Sequence, residues 1–137
     1  MAMCETLIRK ENDGTISFGD YTLETKSKVS DFEYNGDLYK VKTYNEITKL
    51  EKNGMFIYES VPGSFVSHLS VEERELSFAV KAKEDVQITL ELEPEKEYKI
   101  FIDDTNVGKM KTNLGGKLVL SVELNPDMEA KVRVVKC

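Results

Sequence analysis

Three Asp-Gly or Asn-Gly pairs, Asp13-Gly14, Asn35-Gly36 and Asn53-Gly54, punctuate the first half of this chain. A type I′ turn needs positive φ at both central residues. Asn, Asp and Gly tolerate that and most residues do not, so each pair between strand-like runs predicts a tight β-hairpin. The first joins residues 6–11 to 15–18, the second 31–34 to 38–43, and the third 47–52 to 55–59. The middle hairpin is the cleanest, because Phe32 and Tyr34 alternate with charged residues on one arm, as Tyr39 and Val41 do on the other. Residues 45–53 also admit a short helix, capped by Asn45 and stopped at Gly54. The flanking β-branched and aromatic residues favour the hairpin.

The second half reads as a meander. Leu76, Phe78 and Val80 alternate with Ser77, Ala79 and Lys81, and Val86, Ile88, Leu90 and Leu92 repeat the pattern. Period-two alternation describes a strand with one face in a core and one in water. Tyr98, Ile100 and Ile102 follow, then 107–112, then Leu118, Leu120, Val122 and Leu124, then Val132 and Val134, with polar turns between them. Strands at this spacing predict an all-β, antiparallel sandwich. Pro62 and Gly63 interrupt the pattern, and residues 70–73 suit one capped helical turn. These features place a seam near 61–74, giving a hairpin-rich unit over 1–68 and a sandwich unit over 69–137, in tandem or merged.

The formal charge of −6, with lysines interleaved among acidic residues, argues against nucleic acid or an anionic membrane as a partner. No run approaches the roughly 20 apolar residues of a membrane span, and the first ten residues lack a signal-like apolar stretch. The expected setting is cytoplasmic, with Cys4 and Cys137 reduced unless the chain ends meet.

Candidate chemistry is sparse. His68 is the sole histidine, which excludes His-rich metal sites and leaves one imidazole for acid–base work or, more simply, a polar loop position. Asp31, Glu33 and Asp37 cluster at the Asn35-Gly36 turn, where turn formation accounts for them better than glycosidase carboxylates do. Asp103, Asp104 and Asn106 offer oxygens to Ca²⁺ but lack an EF-hand spacing, so a turn is the better account. Gly115-Gly116 falls before a strand and lacks a nucleotide fingerprint. No cofactor is implied. Aromatic residues crowd the first half, and those not filling its core can anchor a protein partner or stack on a sugar. Tyr34, Tyr39, Tyr44, Tyr58 and His68 are therefore the candidate interface residues. Lys40, Lys42, Lys49 and Lys52 suit edge gatekeepers, since natural sheets guard open edges with lysine.

Two resemblances add expectations. Residues 73–136 carry Leu92, Pro94, Tyr98, Ile100, Asp103, Gly115-Gly116, Leu118 and Ser121-Val122 in a spacing similar to Ig-like and fibronectin-like accessory modules of polysaccharide-active enzymes. Nearly the whole chain, including DGTISFGDY at 13–21 and YNGDLYKVKTYNEITKLEKNGMFIYESVPG at 34–63, resembles small clostridial proteins designated endosialidases. That resemblance implies action on a sugar. Sialidase chemistry uses an arginine cluster and Trp-containing motifs, whereas this chain has only Arg9, Arg74 and Arg133 and no Trp, so no catalytic residue transfers. The combined expectation is a non-catalytic assembly or partner-binding module that forms a homo-oligomer through its first-half hairpins. A carbohydrate-binding module is the alternative and a sugar-acting enzyme the third.

Overall fold

The computed structural model describes residues 7–137, and all regular structure there is strand. The first two strands, β1 (Ile8–Lys10) and β2 (Ile16–Phe18), flank Asp13-Gly14. Next come β3 (Ser27–Tyr34), β4 (Asp37–Tyr44), β5 (Ile47–Lys52) and β6 (Met55–Val61), in consecutive hairpins. Asn35-Gly36 and Asn53-Gly54 take φ of 51° and 81°, and of 52° and 82°, as a type I′ turn requires. Residues 47–52 are thus strand, not helix. The remaining strands are β7 (Phe65–Val71), β8 (Glu75–Lys81), β9 (Val86–Glu91), β10 (Glu97–Ile102), β11 (Thr105–Lys111), β12 (Lys117–Val122) and β13 (Ala130–Lys136).

They form two antiparallel sheets of a β-sandwich. The seven-stranded sheet runs β1-β2-β7-β8-β13-β10-β11, and the six-stranded sheet runs β12-β9-β6-β5-β4-β3. The boundary drawn between residues 68 and 69 falls inside β7, and β6 pairs with β9, so both sheets mix strands from the two halves. The expected helical turn at 70–73 is absent, because Ser70 and Val71 complete β7. Alternation within each strand sends one set of side chains into a shared core. Val41, Leu50, Tyr58, Ile88, Leu90, Leu118 and Val122 enter from one sheet, and Ile16, Phe18, Val66, Val80, Ile100, Val132 and Val134 from the other.

A chain of buried hydroxyls crosses this core near the β6–β7 connection. Thr48 donates to the Ser64 carbonyl and accepts from its N–H, both at 3.0 Å, so in the 2.7 Å contact with Thr43 it is Thr43 that donates. Ser64 Oγ also meets Tyr58 at 2.8 Å and Ser60 at 2.6 Å. Pairing of this kind is what lets polar groups sit in an apolar interior. Gly63 makes the approach possible, because a Cβ there would lie 2.0 Å from the Tyr44 carbonyl oxygen. Cys137 is exposed, and the considered Cys4–Cys137 link lies outside the described residues. No helix among the described residues is long and apolar enough to cross a membrane.

Candidate functional site

The five candidate interface residues do not come together. Tyr34, Tyr39 and Tyr58 are core residues, and Tyr58 is only 1% exposed. Tyr34 and Tyr39 meet edge-to-face at 5.5 Å, and the Tyr34 hydroxyl donates to the Gly14 carbonyl at 2.6 Å. Aromatic character marked them equally well for core and surface, and core packing claimed them. Of the four tyrosines, Tyr44 alone faces outward, half-buried on the six-stranded sheet, with Lys26 Nζ 5.6 Å from its ring centroid.

His68 is in a strand, not a loop. It sits in a β-bulge of β7, where the register with β8 shifts between Ser67 and Ser70, and its φ is +54°. Its N–H is held by Ser17 Oγ at 3.1 Å. Nδ1 lies 2.9 Å from Asp13 Oδ2 and 3.1 Å from Thr15 Oγ1. The Thr15 hydroxyl already donates to Asp13, so both partners accept. Nδ1 therefore carries the proton, and in the neutral ring Nε2 remains an acceptor. Hydrogen bonds from the Thr15 hydroxyl and N–H hold the Asp13 carboxyl below its usual range, with His68 adding to the effect. The Ser17 hydroxyl does the same for Glu11, donating at 2.5 Å, and Arg9 helps. Replacing Ser17 by alanine should raise the Glu11 pKa toward its ordinary 4.5, measured by carboxyl NMR titration. An unmoved titration would show that Ser17 does not set it.

His68 borders a trough of about 390 Å³ on the outer face of the seven-stranded sheet. Ser77 and Ala79 form its floor. Phe101 stands on the opposite bank, with the Arg133 guanidinium 4.3 Å from its ring centroid. Arg74 and Arg133 line different concavities. Among the described residues, no group of three or more His, Cys, Asp or Glu is placed to hold a metal. Asp103 Oδ1 accepts from Lys131 N–H and Asn106 Oδ1 from Gly108 N–H, each at 2.9 Å, so Asp103 ties the β10–β11 turn to β13 and Asn106 serves the start of β11.

The larger concavity lies on one flank of the sandwich. On the opposite flank β1 lies against β3, and Leu7, Val29 and Phe32 pack on the core there. Between β11 and β12, however, a cleft of about 670 Å³ opens between the sheets. Ile100 and Leu120 lie at its base, and the exposed Val107, Met110, Val119 and Met128 line it.

Among the described residues, the four sheet edges differ in their protection. β1 is three residues long. β3 is bulged between Val29 and Phe32, with Asp31 at φ +58°. β11 is bulged at Val107, which has no partner opposite it, and carries Lys109 and Lys111. Short length, bulges and lysines are the devices that discourage edge pairing. Against β9, β12 runs from Lys117 to Val122 without a register shift, and Lys117 is its sole charge. The gatekeepers expected on β4 and β5 are not at an edge, since both strands are paired on both sides. The alternation at Leu118, Leu120 and Val122 marked β12 as a strand; nothing in it marked an edge. No family model, curated protein or solved structure matches the chain.

Proposed function

We propose that this chain is a non-catalytic assembly module that pairs with a second copy of itself through β12. The observation that carries this reading is a straight, unguarded edge bordering a cleft in which exposed apolar side chains stand beside Asp103, Ser121 and Glu123. The edge is also self-complementary. In an antiparallel pairing about a two-fold axis at Leu120, Leu118 faces Val122 and Val119 faces Ser121 of the other copy. Lys117 then faces Glu123 at both ends. This register keeps Leu118, Leu120 and Val122 on the core side of both copies, whereas a one-residue slip would turn them outward. A two-fold contact needs such self-matching, because each patch meets its own copy. The result joins two six-stranded sheets into one continuous sheet, with the cleft covered.

Light scattering on serially diluted protein tests this. The expected mass is twice the 15.6 kDa of one chain at high concentration; a monomer throughout overturns the reading.

One observation favours the carbohydrate-binding alternative, the trough beside His68 with its acceptor Nε2. The stacking platform expected of the tyrosines does not support it, since three of the four are in the core. The sugar-acting role implied by the endosialidase resemblance would use the same trough.

A further inference from the structure

The lysines of β4 and β5 present an outward face that needs its own explanation. Lys28, Lys42 and Lys49 stand directly opposite one another on adjacent strands. Lys40 and Tyr44 flank Lys42 along its own strand. Of the four outward positions around Lys42, three are therefore lysine, and the fourth is the tyrosine that Lys26 overlies. Directly opposed like charges destabilise a sheet. Compensation is partial: Lys49 reaches Glu51 at 3.8 Å, Glu51 stands opposite Lys40, and Glu59 stands opposite Lys49. Among the described residues, neither Lys28 nor Lys42 has an ion-pair partner. A chain with 25 acidic residues has placed its like charges together here.

We propose that this face binds a tetrahedral dianion, a phosphate monoester, over Lys42. Neighbouring strands lie about 4.8 Å apart and alternate residues of a strand about 6.8 Å apart. Flexible lysine stems can bring their ammonium groups from those positions onto one oxyanion, each as a compact donor with three N–H groups. A dianion offsets the clustered charge better than a single carboxylate does. The face lies at β3–β5, across the sheet from β12, so the proposed dimer leaves it open and the two proposals stand apart.

The test titrates the full chain with inorganic phosphate and with inorganic sulfate, each against sodium chloride at matched ionic strength, following backbone amides by NMR. Saturable shifts confined to β3–β5, with a dissociation constant in the millimolar range and at least tenfold weaker binding in Lys42→Gln, are expected. A preference for phosphate, or an equal response to the two dianions, supports the proposal, and a preference for sulfate overturns it. Shifts that chloride reproduces, or that Lys42→Gln retains, overturn the proposal. In chloride, Lys42→Gln should also raise the thermal midpoint by about 2–4 °C, because it relieves the repulsion. Lys28→Gln, on an exposed edge strand, provides a second variant with the same expected loss of binding.

Discussion

Tyr58→Ala is expected to lower the unfolding free energy by about 3–5 kcal/mol, the cost of emptying a large aromatic site in a packed core. The ring stands edge-to-face with Phe18 at 5.3 Å and with Phe78 at 5.6 Å, so it joins the two sheets at the centre of the sandwich. Domains of this kind hold only about 5–15 kcal/mol in total, so the variant should lose about a fifth or more of its stability. Tyr58→Phe keeps the ring and leaves Ser60 and Ser64 bonded to each other, so about 1 kcal/mol is expected. Guanidinium unfolding measures both. A loss within about 0.5 kcal/mol for the alanine variant would mark Tyr58 as a surface residue and contradict its place in the core. Burial also pushes the Tyr58 phenol up to about 12, outweighing the hydrogen bonds from Ser64 and Ser60. The folded state thus holds its proton more tightly than the unfolded state does. Its contribution is complete below pH 10 and is lost as pH rises toward 12, by about 3 kcal/mol in all. Tyr21 and Tyr39, also raised by burial, add in the same direction. Tyr58→Phe should flatten the alkaline decline.

Glu123→Lys is expected to raise the dimer dissociation constant about tenfold or more. It sets a lysine against Lys117 of the other copy twice per dimer, and cross-strand charge pairs are each worth about 0.2–1 kcal/mol. The double variant Lys117→Glu/Glu123→Lys exchanges the charges while keeping the match, so it should recover most of the affinity. That recovery separates a specific contact from a general effect of charge. Lys117 also lies over Phe56 at 5.2 Å, a contact the double variant loses, so recovery stops short of the wild-type value. Sedimentation across a dilution series reads all three proteins. Single and double variants that dimerise alike would remove β12 from the interface.

Most strands were legible because hairpin turns and period-two alternation are local properties. Asn35-Gly36 and Asn53-Gly54 turned as their backbone freedom requires, and every alternating run of the second half became a strand. The candidate site was less legible. Phe32 and Tyr34 display the same alternation whether their face meets a core or a partner, and only the opposing sheet decides which. His68 reads as a loop residue until a bulge places it inside β7.

Local composition and alternation were therefore enough to determine an all-β chain, its hairpins and the two-faced character of its strands. Tertiary structure decided which strands became neighbours. It threaded β7 across the expected domain seam, enclosed β4 and β5 within a sheet, and left β12 at an unguarded edge. Strand order is set by contacts between residues far apart in the chain, where the gain from burial must exceed the entropy of closing long loops. No single segment carries that balance, so edge and interior strands can share the same local pattern.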